Sequence, residues 1–176
     1  GFNDGIGLKL LNSLIHNMSY YGLRATLSKI TATNCQFTNC GGNVVSIENG
    51  GEYDFRNCTL ARYFNGRGYP ALSINNFAYD TSGKVKLATD LTKAYFGNCI
   101  ITGSQNNEIV PEKSPEAAFE FFFDQCLVNW DASLFSKTDF DTHFVNCIKN
   151  EDVNFVNKEL NNFSLDTLSF AIDAAS

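Results

Sequence analysis

The chain of 176 residues is 44% hydrophobic and carries 13 Lys and Arg against 19 Asp and Glu, a formal net charge of −6. That length and apolar content suit one domain with a sizeable core, while the sparse, scattered cations exclude the concentrated basic surface that a nucleic-acid partner needs. No run approaches the roughly 18 apolar residues of a membrane span, and no basic-then-apolar segment opens the chain as a signal peptide would.

In chain order, the first element is Leu10, Asn12, Ser13 and Ile15, reached directly from Gly7, Leu8 and Lys9. The same four columns return as Ala32, Asn34, Cys35 and Phe37, then as Phe55, Asn57, Cys58 and Leu60. They return again as Phe96, Asn98, Cys99 and Ile101, as Phe123, Gln125, Cys126 and Val128, and as Phe144, Asn146, Cys147 and Lys149. Successive anchors are 22, 23, 41, 27 and 21 residues apart, which describes a unit of twenty-odd residues with insertions and signals a stacked solenoid. Because the repeat is already running at the first residues, the amino end of the stack is expected to be open. Upstream coils or self-association should cover its unpaired strand edges.

Within a copy the apolar residues alternate. Tyr53 and Phe55, then Cys58 and Leu60, have Asp54, Arg56 and Thr59 between them, and a period of two means strand. The alternation skips at Asn57, which marks a corner, since asparagine tolerates the left-handed backbone that a sharp bend requires. A second strand precedes the first in several copies, at Leu23 and Ala25, Val45 and Ile47, and Leu72 and Ile74, closed by Asn49-Gly50-Gly51 or Asn75-Asn76. Five of the six cysteines share one column. Side chains in one column of stacked strands stand about 4.8 Å apart, too strained for bridging, so these are expected to be buried free thiols. The close pair Cys35 and Cys40 has no nearby histidine, and no metal site is assigned.

Two loops interrupt the array, at 62–93 and 102–118, the second kept irregular by Pro111 and Pro115. The expected fold is all-β, a right-handed parallel β-helix solenoid of about six coils with Asn and Cys/Phe ladders. Residues 1–152 form the coils, and 153–176 form a C-terminal capping segment of the same domain.

The Phe-x-Asn-Cys-x-apolar column resembles the right-handed parallel β-helix proteins of the pectate-lyase-like superfamily, including their asparagine ladder at one corner. The ending runs Asp152-Val153-Asn154-Phe155-Val156, then Asn162-Phe163-Ser164-Leu165, then Ser169-Phe170-Ala171-Ile172-Asp173. It is similar to the terminal segment of bacterial surface β-helix proteins, with Asp166-Thr167 and Ser169-Phe170-Ala171 departing from that family's Pro-Gly and Ser-Pro-Ala. The resemblance implies a secreted or cell-surface protein of bacterial type.

The outward positions of the cysteine-bearing strand include Lys9, Thr31, Asp54, Arg56, Tyr95 and Asp124. A uronate lyase needs a cation to neutralise the carboxylate and a base to take the α-proton. Arg56 and Lys9 are candidates for the base, and Asp54 with Asp124 for holding calcium, the one cofactor considered. Hydrolysis would need two carboxylates roughly 5–10 Å apart; Asp54 and Asp124 are two ladder steps, about 10 Å, apart. Ordinary cross-coil salt bridging is the preferred reading of this face. For binding without chemistry, Arg62, Tyr63, Arg67, Tyr69 and Trp130 supply rings that stack on sugars and forks that suit carboxylate or sulfate, although each ring could instead cap the interior. The expected function is therefore a noncatalytic module binding a polysaccharide or glycan through its flank and loops. A polysaccharide lyase or glycoside hydrolase acting on acidic polysaccharide, and a structural or adhesin spacer, are the alternatives. An outward cluster of carboxylates with Arg or Lys would favour the enzyme, a shallow aromatic-lined groove would favour binding, and a featureless charged surface the spacer.

Overall fold

The computed structural model describes residues 7–64, 68–131 and 141–172. Three strand segments make one turn. The first side stacks 23–26, 45–48, Leu72–Asn75 and Ile109–Glu112. The second stacks Leu8–Leu11, 28–33, 51–56, Leu91–Gly97, Phe119–Asp124 and Phe144–Val145. The third stacks Leu14–His16, Gln36–Thr38, Thr59–Arg62, Ile100–Gly103, Leu127–Val128 and Ile148–Lys149, all in parallel. Six strands in unbroken order on the third side bound about five full turns of a parallel β-solenoid, close to the six coils expected from six anchors.

Hydrogen-bonded register follows the cysteine alignment residue for residue. Leu10 lies beside Ala32, Ala32 beside Phe55, Phe55 beside Phe96, Phe96 beside Phe123, and Phe123 beside Phe144. A like ladder runs from Ile15 through Phe37, Leu60 and Ile101 to Val128. Because parallel pairing brings identical columns together, the phenylalanine rings stack along the axis. Their centroids are 5.1 Å apart from Phe55 to Phe96, 4.9 Å from Phe96 to Phe123 and 4.6 Å from Phe123 to Phe144. The column cysteines are free thiols, and each donates to the carbonyl two residues back, as Cys58 does to Arg56 at 3.2 Å and Cys99 to Gly97 at 3.4 Å. Burial raises the Cys99 thiol well above its ordinary value and keeps it protonated.

The corner between second and third sides is left-handed in every copy, with φ of 49° at Asn12, 55° at Asn34, 52° at Asn57, 51° at Asn98, 53° at Gln125 and 52° at Asn146. Asn34 donates to Asn12 at 2.8 Å and Asn98 to Asn57 at 2.6 Å, so the asparagine ladder is built in pairs. A second left-handed corner, not read from the repeat, follows the third side at Asn17, Asn39 and Asn150.

Both expected loops contain coil. Leu72–Asn75 is a first-side strand, and what is inserted after it is an antiparallel hairpin, Phe77–Tyr79 with Val85–Ala88. Pro111 does not keep its segment irregular: it stands within strand Ile109–Glu112. Among the described residues that strand pairs with Leu72–Asn75 alone, and a strand paired on one side tolerates the missing N–H of proline. The segment from Val153 onward forms a hairpin, Phe155–Asn157 with Asn162–Leu165, around the short turn Lys158–Leu160. Instead of closing the end of the stack, the hairpin runs back along the third side, because its rings pack there. Phe155 and Phe163 each lie 6.2 Å from Tyr63, and Asn39 donates to Asn161 at 2.5 Å. Asp173 falls outside the described residues.

Candidate functional site

On the outward second side, the strands bring Asp54, Arg56, Lys93, Tyr95 and Asp124 into one network. Arg56 and Lys93 donate to the Asp54 carboxylate at 2.8 and 2.6 Å. Burial pushes the Asp54 carboxyl up, but the bonds from Arg56 and Lys93 outweigh it and hold the group below its usual range. Tyr95 is paired with Asp54 on one side and Phe122 on the other. Its ring lies over Gly97, where a Cβ would stand 2.7 Å from the ring. From there its hydroxyl donates to Asp124 at 3.0 Å, and the Arg56 guanidinium sits 5.0 Å from the ring centroid. Burial, then the bond to Asp124, raises the phenol above its ordinary value, so Tyr95 is a poor base. The carboxylates and cations anticipated at Asp54, Arg56 and Asp124 are thus gathered, with Lys93 and Tyr95 joining them, and bonded to one another. Among the described residues, no group of three or more His, Cys, Asp or Glu is placed to hold a metal ion.

The residues singled out for ligand binding are dispersed. Arg62 is fully buried, donating to the carbonyls of Gly42 at 2.8 Å and Gly41 at 3.2 Å, and its guanidinium lies 5.9 Å from the Tyr69 ring. Tyr69 meets Tyr20 hydroxyl to hydroxyl at 2.9 Å. Tyr63 is enclosed between Phe155, Phe163 and the Lys158 ammonium, 4.7 Å from its centroid. Trp130 is 2% exposed and packs on Phe144 at 4.5 Å. Arg67 lies outside the described residues. One charged group was not foreseen: Glu108 is fully buried, its carboxylate accepting from the backbone of Ala71 at 2.6 Å and Gln105 at 2.7 Å. Burial pushes it up to about 7.

Among the described residues a groove of about 650 Å³ lies on the third side, beyond the C-terminal hairpin, within the roughly 300–1,000 Å³ usual for ligand sites. Its floor continues the strands: Thr102 and Asn129 follow the paired Ile101 and Val128, and Asn150 follows Lys149. The Tyr63 and Thr102 hydroxyls are 3.1 Å apart, and Thr102 donates to Asn129 Oδ1 at 3.2 Å. Asn150 is held by both amide atoms to the backbone of Trp130, at 2.8 and 2.9 Å. Gln105 and Asn106 form one wall, with Asp131, Glu151, Asp152 and Lys158 around the rest.

The fold and this flank define a parallel β-solenoid with a polar lateral groove. Comparison with protein-family models, with curated proteins and with solved structures finds no match.

Proposed function

We propose that the chain is a noncatalytic β-solenoid module of a bacterial secreted or cell-surface protein, related to the pectate-lyase-like β-helices, that binds a glycan through its third side. The observation that carries this reading is the groove floored by Thr102, Asn129 and Asn150 and walled by Gln105, Asn106, Glu151 and Asp152, a polar lining that mixes amides and carboxylates. Sugar hydroxyls both donate and accept, so such a surface can satisfy them. Trp130 contributes by fixing Asn150 through its backbone; its ring is buried.

A second reading, a lyase or hydrolase acting on acidic polysaccharide, is favoured by the outward cluster of Asp54, Arg56, Lys93 and Asp124. Against it, Arg56 and Lys93 are both bonded to Asp54 and the Tyr95 hydroxyl donates to Asp124, so these groups are committed to one another rather than to a substrate carboxylate or its α-proton. The test is a binding and depolymerisation screen over neutral and uronate-containing polysaccharides, with and without calcium. Retention on a glycan without release of products is expected. Unsaturated products that disappear with Arg56→Ala or Lys93→Ala would replace the module by a lyase, and silence in both assays would leave a structural or adhesin spacer.

A further inference from the structure

We infer that the C-terminal hairpin, residues 155–165, is a displaceable strap over a further sugar subsite: the face of Tyr63, which Phe163 covers in this structure and which a sugar ring takes when the hairpin lifts. The inference rests on the glycan reading above and adds a subsite and its control.

On the third side, the alternation that turns Phe37, Leu60 and Ile101 into the core sets Thr38, Ala61 and Thr102 outward, in register across three coils. Outward residues of a sheet that faces solvent are ordinarily wet, yet these three are 0%, 0% and 2% exposed. Tyr63 and the hairpin meet this stripe at its two ends. The Tyr63 hydroxyl lies 3.1 Å from that of Thr102, which also lines the groove, and Asn161 of the hairpin takes a bond from Asn39, next to Thr38. The covered stripe and the open groove are therefore one surface. Among the described residues, every ring or cation contact of Tyr63 comes from the hairpin. Phe155 meets it edge-on, Phe163 stacks at 6.2 Å with the planes 19° apart, and the Lys158 ammonium is 4.7 Å from its centroid.

Two features mark the hairpin as a replaceable occupant. Thr38 Oγ1 is buried with no hydrogen-bond partner among the described residues, so the cover keeps water from a hydroxyl that it does not satisfy, at a cost in free energy. A sugar hydroxyl both donates and accepts, and relieves that cost. The hairpin is also lightly held. A two-stranded hairpin is marginal by itself, and within 155–165 Phe163 alone is buried, while Val156 and Leu160 stand 52% and 77% exposed. Phe163 thus fills the place of a ligand ring on Tyr63, whose flat apolar face suits a sugar equally.

The test titrates the whole chain, Phe163→Ala and Asn161→Gly with gluco-, xylo- and galacturono-oligosaccharides of increasing length, and follows amide exchange in 155–165 alongside binding. Glycine suits the left-handed backbone of Asn161, φ 58°, so that variant loses the bond to Asn39 without strain. Bound oligosaccharide is expected to speed exchange in 155–165. Both variants are expected to bind about tenfold more tightly than the unaltered chain, as an open fraction of about a tenth requires, and Tyr63→Ala added to Phe163→Ala should cancel the gain. Binding that slows exchange in 155–165, or that neither variant tightens, would make the hairpin a fixed wall and overturn the inference while the glycan reading stands. Failure of every oligosaccharide to bind the chain and both variants would overturn the glycan reading itself, and the inference with it.

Discussion

Leu27 occupies a corner that the next coil gives to Asn49: its φ is +46°, and Asn49 has +58°. A branched residue there carries roughly 1–2 kcal/mol of strain that asparagine largely avoids. As Leu27 is 36% exposed, replacing it forfeits little burial. Leu27→Asn is therefore expected to raise the stability by about 1 kcal/mol, read as a higher urea midpoint with unchanged slope. Glu108 works in the other direction. Its folded value of about 7 stands above the ordinary 4.5, so the protonated form is the one folding favours. The stability it contributes is full below pH 4.5 and is lost as pH rises through 7. Glu108→Gln should remove this pH dependence, worth on the order of 3 kcal/mol across that window at most, in denaturation curves taken at several pH values. The asparagine corners could be read from the sequence because they recur; Glu108 could not, being one acidic residue in a polar loop. Arg62 misled for a related reason. Beside two aromatics it looks like a surface anchor, and only the fold shows that the carbonyls of Gly41 and Gly42 await it.

At the scale of elements, the phenylalanine column and the C-terminal hairpin bury rings in different ways. Phe96 is stacked on both faces, by Phe55 and Phe123, so Phe96→Ala should cost about 3–5 kcal/mol of global stability, as a core cavity does. Phe163 is equally buried but holds only the hairpin to Tyr63. Phe163→Ala is expected to speed amide exchange in the 155–165 segment while the coils keep their protection; an equal fall in global stability would show instead that the hairpin folds with the core. The coil strands were legible because a period of two and a repeated column need only local sequence. Strand Ile109–Glu112 was hidden by Pro111, which lacks the N–H of an ordinary strand residue, and the pairing with Leu72–Asn75 that accommodates it belongs to the assembled sheet. The hairpin's destination, 122 residues from its partner Asn39, has no periodicity by which to announce itself. The site divides likewise: Asp54, Arg56 and Asp124 shared a face as the alternation required, whereas the groove arises from turns and a folded-back tail.

As a whole, the molecule is a one-dimensional stack in which each coil touches its neighbours, and stability should grade along it. Amide protection is expected to peak in Val45–Arg56 and Leu91–Gly97, paired on both sides, and to be least in Leu8–Leu11 and Leu14–His16. There one edge is unpaired in the described chain and Leu8, Leu11 and Leu14 stand exposed; hydrogen exchange with fragment resolution reads the gradient. Solenoids of this kind ordinarily gain and lose units freely, since a new coil needs only compatible neighbours. This one has a ruler. The bond between Asn39 and Asn161, with the Tyr63 ring against Phe163, spans a set number of coils. One duplicated unit between them would carry the two asparagines apart by a strand spacing, about 4.8 Å. Copy number is thereby tied to the tail, and lineages of this chain should vary in the length of its loops while conserving the count of its turns.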